Sequence, residues 1–320
     1  PLFFVYAIAL LVVAIMITSE HVLAAAMALL WVALIQLLAA NHTAQQILTN
    51  LHLVPERPVL VATILEGVAL ASLALVLSWK SWRLGGEEYT AWQQTAVARN
   101  LVVPLTYGAA FAIVTATPFI LWVLPGRFTV HVIYAGLAAS VWIITCVARR
   151  WPAALAATQA MAAVAVAFGI AAIWSPDQVD QFWFVRGGHL QAQLFAIAGS
   201  AAVWSVARRF AWPKSVLHDL LHPSFPACDH VLLGLAVALA GVLSFSAALP
   251  GIAWELGLSE TKLTSADIAW LDLANVSRLA LGLGGVVVAL LLALADRITG
   301  WKLIGLSLAG WSGCFLIAQA

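Results

Sequence analysis

Continuous apolar runs of about the same length dominate this chain and limit what it can fold into. Ten can be marked, at approximately 1–18, 21–40, 58–79, 101–124, 130–148, 152–174, 189–210, 229–249, 277–298 and 301–320. A bilayer core about 30 Å thick takes roughly 20 apolar residues of helix, so each run is a candidate span. None shows the alternating ten-residue segments of a membrane β-barrel. Composition agrees: 63% of the 320 residues are hydrophobic and 9% are charged, whereas a soluble domain carries roughly 25% charged residues. With 15 basic and 14 acidic residues, nothing marks a nucleic-acid binder. Cys146 and Cys314 fall in apolar runs and Cys228 in a polar connection, which suggests neither a disulfide nor a metal knuckle.

The expected fold is therefore all-α: a polytopic integral membrane protein of about ten transmembrane helices, residues 1–320 forming a single bundle. Pro1 is followed at once by apolar residues, without a basic n-region or a small-residue cleavage site, so the first run reads as a retained span. Ser19-Glu20 and Gly300-Trp301 separate pairs of runs so tightly that each pair should be an antiparallel hairpin.

Charge placement gives the expected orientation. Cytoplasmic connections carry an excess of Lys and Arg. The connections after runs three, five, seven and nine hold Lys80, Arg83, Arg99, Arg149, Arg150, Arg208, Arg209, Lys214, Arg297 and Lys302, which is ten of the 15 basic residues. Glu56, Asp177, Asp180, Glu255, Glu260, Asp267 and Asp272 lie on the other side. Both chain ends are then outside, and the location is a membrane, the inner (plasma) membrane in a bacterium. Trp79, Trp82, Trp122, Trp151, Trp174, Trp212 and Trp301 mark predicted span ends, where indoles prefer the interface. Trp31, Trp142 and Trp311 lie deeper and read as helix packing or lipid contact.

Two outer connections exceed a hairpin's needs. In Asn41–Arg57, the apolar residues Ile47, Leu48, Leu51 and Val54 recur at helical spacing and predict a helix along the membrane surface. The second connection, Pro250–Val276, carries Trp254, Trp270 and several leucines among its acids. Outer connections also hold Arg57, Arg127, Arg186 and Arg278, whose guanidinium groups are suited to bidentate capture of carboxylate or phosphate. Their plainer role is local pairing.

One acid lies well inside a predicted span. Glu66 is eight residues past Pro58, roughly 12 Å along a helix and close to the midplane. A carboxylate there is costly and needs a polar partner. Thr63, Thr115 and Thr117 are candidates, as are backbone carbonyls exposed near Pro118. Glu66 can serve as a proton relay, a cation site, a hydrogen-bonding group for a quinone-like head, or simply a structural residue.

His131 and His189 open two runs that resemble each other over 131–152 and 189–213, with YAGLAASVW in one and IAGSAAVW in the other, each ending in paired arginines before Trp-Pro. A partial internal repeat would place both imidazoles at one outer depth, able to hold a haem or a quinone. Neither run has the second histidine of a two-haem cytochrome b. In KSVLHDLLHPSFPACDH, His218 and His222 have a spacing able to grip a metal, but Pro223 and Pro226 end any helix there and a solvated loop is the plainer reading. The chain has no P-loop, GxGxxG after a strand, GxSxG or CxxCH.

Three functions fit. The first is a membrane-embedded subunit of an electron-transfer or energy-converting complex, holding a quinone, haem or pigment between helices and working with other membrane subunits. The second is a membrane transferase acting on lipid-linked anionic, glycan-type substrates at the outer face. The third is a transporter, for which one acid and one Pro-containing span are thin support.

Overall fold

The computed structural model describes residues 2–50, 57–84, 86–122, 128–174, 187–210 and 228–258, together with 286, 287 and 290. All regular structure among them is helical, with no strand. The helices are α1 (Leu2–Ile17), α2 (Glu20–Ala40), α3 (His42–Asn50), α4 (Pro58–Leu77), α5 (Gly86–Gln93), α6 (Val103–Leu121), α7 (Phe128–Arg149), α8 (Pro152–Trp174), α9 (Gly187–Phe210) and α10 (Cys228–Glu255). A 3-10 turn, Trp79–Arg83, follows α4, and a π-helical turn, Ala98–Val102, leads into α6. Five helical segments are long and apolar enough to cross a membrane: Glu20–Ala40, Pro58–Leu77, Ala98–Leu121, Phe128–Arg149 and Pro152–Ile173. Leu2–Ile17 and Val231–Val242 are shorter apolar segments. The runs at 277–298 and 301–320 lie outside the described residues, apart from 286, 287 and 290.

These helices are apolar on every side, which is how a helix reads when its outer face meets lipid instead of water. Packing faces use small residues, among them Ala7, Ala14, Ala26, Ala33, Ala62, Ala71 and Ala74, while Phe111, Trp122, Ile173 and Phe210 point outward, more than 70% exposed. A soluble protein reverses that arrangement. Between membrane helices, small residues allow close approach, and dispersion drives association. Gly67 shows the effect: a Cβ there would lie 3.2 Å from Ile113 Cδ1, so α4 and α6 approach closely because the side chain is missing.

The chain forms two compact units. The first comprises Pro1–Val123 and Val130–Met161; the second comprises Leu124–Thr129 and Ala162–Ala320. In the first, α1 and α2 form the expected hairpin, turning at Thr18 with φ of 50°. The Asn100 amide donates to the Thr18 carbonyl at 2.9 Å, tying the turn to the π-helical entry of α6. Helix α2 also packs on α4, and α4 on α6. Asn41 ends α2 and begins α3, its Oδ1 accepting from the Thr43 N–H at 2.9 Å in an ordinary N-cap. The helix expected along Asn41–Arg57 is present as α3 up to Asn50; residues 51–56 lie outside the described residues.

The join between α7 and α8 is fixed by side chains. Arg150 takes a left-handed φ of 52°, costing roughly 1–2 kcal/mol for a non-glycine residue. Its guanidinium donates to the carbonyls of Ser81 at 3.1 Å and Leu84 at 2.9 Å, and lies 4.0 Å from the centre of the Tyr89 ring. The Tyr89 hydroxyl donates to the Arg149 carbonyl at 2.8 Å. Burial holds that phenol above its ordinary pKa, which keeps it a donor.

In the second unit, Leu194, Ala198 and Ala201 of α9 pack with Leu233, Ala236 and Ala240 of α10. Helix α10 continues through Pro250 to Glu255, beyond the end expected at residue 249. Pro250 removes one donor from that helix, and the chain keeps its helical course past it. Most of the second long connection, from residue 259 onward, lies outside the described residues.

Candidate functional site

A cavity of about 970 Å³ opens among α2, α4 and α6, within the first unit. Each helix contributes residues one turn apart. Met27, Ala28 and Trp31 come from α2; Leu60, Thr63, Glu66 and Leu70 from α4; Phe111, Ala112, Thr115 and Phe119 from α6. Arg57 and Trp122 stand at the ends of the adjoining helices and complete the wall. Phe111, Phe119 and Trp122 are 71%, 59% and 73% exposed, so the cavity is a groove that opens on the side of the helices. Its size is at the upper end of the roughly 300–1,000 Å³ of small-molecule pockets, and its mostly apolar wall with few polar groups is typical of them.

Glu66 is the deepest polar residue in the groove and is 9% exposed. Among the described residues, no hydrogen-bond donor or cation engages its carboxyl group. The three threonines proposed from the sequence are committed elsewhere. Thr63 Oγ1 donates to the Val59 carbonyl at 2.8 Å, Thr115 Oγ1 lies within 3.0 Å of the Phe111 and Ala112 carbonyls, and Thr117 Oγ1 donates to Ile113 at 2.7 Å. Thr63 and Thr115 still line the groove beside Glu66, whereas Thr117 does not. Threonine hydroxyls often return to a carbonyl one turn back, because the bond stays within the helix. A carboxyl group in an apolar surround is costly as an anion and is eased by protonation or by a polar partner.

Trp31, whose depth predicts helix packing or lipid contact, packs between helices and also lines the groove. Its Nε1 donates to Thr63 Oγ1 at 3.1 Å, tying α2 to α4 across the groove wall. Its signal was depth: an indole far from either interface has no interfacial reason to be there.

Arg57 and His131 converge on the end of α6. The last carbonyls of a helix have no partner within it. Arg57 Nη1 donates to the Phe119 carbonyl at 3.3 Å, and His131 Nδ1 to the Ile120 carbonyl at 2.6 Å, which requires the proton on Nδ1. Both bonds suit the negative end of a helix dipole. Arg57 also lines the groove, nine residues from Glu66 along α4, or roughly 13 Å. His131 does not line it; its ring is 2% exposed and meets Tyr134 edge-on at 5.9 Å. No protein-family model, curated protein or solved structure matches this chain.

The remaining sequence candidates fall differently. His189 sits in the first turn of α9, in the second unit, with its side chain outside the described residues. Arg127, Arg186, Arg278, His218 and His222 all lie outside the described residues. Among the described residues, no group of three or more His, Cys, Asp or Glu is placed to hold a metal ion. The structure thus brings together Glu66 and Arg57 in one groove and leaves His131 beside its end.

Proposed function

We propose that the protein is a membrane-embedded subunit of an electron-transfer or energy-converting complex, and that the groove among α2, α4 and α6 holds its quinone-type ligand. The observation that carries this reading is the buried Glu66 carboxyl, which no side chain among the described residues engages, at the bottom of a laterally open apolar groove. A quinone has a carbonyl-bearing head that needs a hydrogen bond and an isoprenoid tail that needs lipid. The groove offers the first at Glu66, whose carboxyl group donates in its protonated form, and the second past Phe119 and Trp122. Binding of a short-chain alkyl benzoquinone to the detergent-solubilised protein tests it. Glu66→Ala should weaken binding by about three- to tenfold, the usual net value of a neutral hydrogen bond, while Glu66→Gln, whose amide N–H also donates, retains most of it. Equal binding by the wild type and Glu66→Ala would remove Glu66 from the site.

A second reading, a transferase acting on lipid-linked anionic substrates, draws on Arg57, whose guanidinium stands at the groove's rim. It requires Arg57→Gln to abolish turnover of such a lipid, whereas quinone binding at Glu66 survives that change.

We also propose that the chain crosses the membrane ten times with both ends outside. Supporting this, the ten apolar runs divide the charges into basic-rich and acid-rich connections, and eight of the runs coincide with α1, α2, α4, α6, α7, α8, α9 and α10. A cysteine at Thr43 should then react with an impermeant maleimide in intact cells, and one at Gln94 only after permeabilisation. The reverse pattern contradicts the orientation.

A further inference from the structure

The far end of α4 carries a second cavity, distinct from the groove. It measures about 610 Å³ and is lined by Trp79, Lys80, Trp92 and Thr95 together with Val76 and Val97. Helix α4 is 20 residues long, or about 30 Å, so this cavity lies a full membrane thickness from Arg57.

Its walls are fixed before any ligand arrives. Trp79 packs against Trp82 with ring centroids 4.9 Å apart, and Trp92 stacks on Tyr89 at 5.6 Å and 24°. Tyr89 is itself held by Arg149 and Arg150. Two indoles on separate segments are thus placed by a second aromatic layer. Lys80 is exposed, and among the described residues no acid pairs with it. Val76 is 68% exposed on the last turn of α4, and Trp79 is 59% exposed. A cation, two indoles and an exposed apolar turn are the components that match a phosphate, a glycerol ester region and an acyl chain, in that order along the membrane normal.

We propose that this cavity binds one anionic phospholipid from the leaflet at this end of α4, its phosphate on Lys80 and its glycerol region against Trp79 and Trp92. The apolar wall and the volume both favour a lipid over a free anion. The site stands on different residues from the groove and does not depend on the quinone reading.

Native mass spectrometry of the full chain in detergent tests it, with phosphatidylglycerol, phosphatidylcholine and inorganic phosphate as the probes. One phosphatidylglycerol should bind about tenfold more tightly than phosphatidylcholine, a preference that Lys80→Ala removes and Lys80→Arg keeps. Arg99→Gln, a nearby exposed cation outside the cavity, should keep it too. Equal binding of the two lipids by the wild type would overturn the proposal, as would an unchanged preference in Lys80→Ala. Displacement of the lipid by millimolar phosphate would show an anion site only and would overturn it as well.

Discussion

Ala28→Trp should empty the groove while leaving the fold intact. Ala28 is an exposed position on α2 that faces the cavity, so a large side chain there enters open space instead of displacing packed neighbours. An indole there intrudes into the cavity of about 970 Å³ from the same wall as Met27 and Trp31. A ligand that depends on burying most of its surface there loses shape complementarity together with its path to the carboxyl group. Binding of the alkyl benzoquinone should fall by at least about tenfold, equivalent to roughly 1.4 kcal/mol. Ala25→Trp places the same side chain at an exposed position of the same helix that does not line the groove, and should bind normally. Equal losses in both variants would point to a general disturbance of α2, and undiminished binding in Ala28→Trp would place the ligand elsewhere.

Arg150→Ala should have the largest effect on stability. It removes donors to Ser81 and Leu84 and the cation over Tyr89, yet retains the left-handed backbone at that position. Together these contacts are worth about 2–3 kcal/mol, given partial exposure and the known range for charged hydrogen bonds and cation–π pairs. Amide exchange in the segment from Trp79 to Gln93 should accelerate, since that segment is fastened to the α7–α8 join through Arg150 and Tyr89. Arg150→Gly should be milder, because glycine recovers the backbone strain of φ 52°. Arg150→Lys keeps the charge but loses the fork that reaches two carbonyls, and should fall between. Unaltered exchange over 79–93 in Arg150→Ala would mean that the arginine does not hold this segment.

How far the sequence reaches follows from the forces at work. The spans were legible because lipid demands long uninterrupted apolar helix, and that demand is written in consecutive residues: the run at 58–79 became α4, Pro58–Leu77, and that at 152–174 became α8, Pro152–Trp174. Glu66 was legible because a lone acid in such a run is expensive wherever the neighbours lie. The groove around it was not. Helices that are apolar on all sides carry no stripe to show which face turns inward, so the approach of Met27, Ala28 and Trp31 to Glu66 is decided by small-residue packing between distant segments. Chemistry alone makes Arg57 and His131 candidates for ligand contact, with local pairing the plainer role of the arginine. Their bonds to Phe119 and Ile120 depend on where α6 ends, with the carbonyls that its last turn leaves unspent. Pro118 lies inside α6, and the helix runs on to Leu121 with the Trp122 N–H bonded to the Pro118 carbonyl at 3.0 Å.

Whether the groove holds a quinone is decided by purifying the wild-type chain from its native membrane in mild detergent, extracting it with organic solvent, and measuring what has come with it by absorbance and mass. The extract should hold close to one equivalent of a prenylated quinone per chain, with that equivalent missing from Ala28→Trp purified in parallel. An extract containing only bulk phospholipid, or a quinone content that is the same in Ala28→Trp, would contradict it.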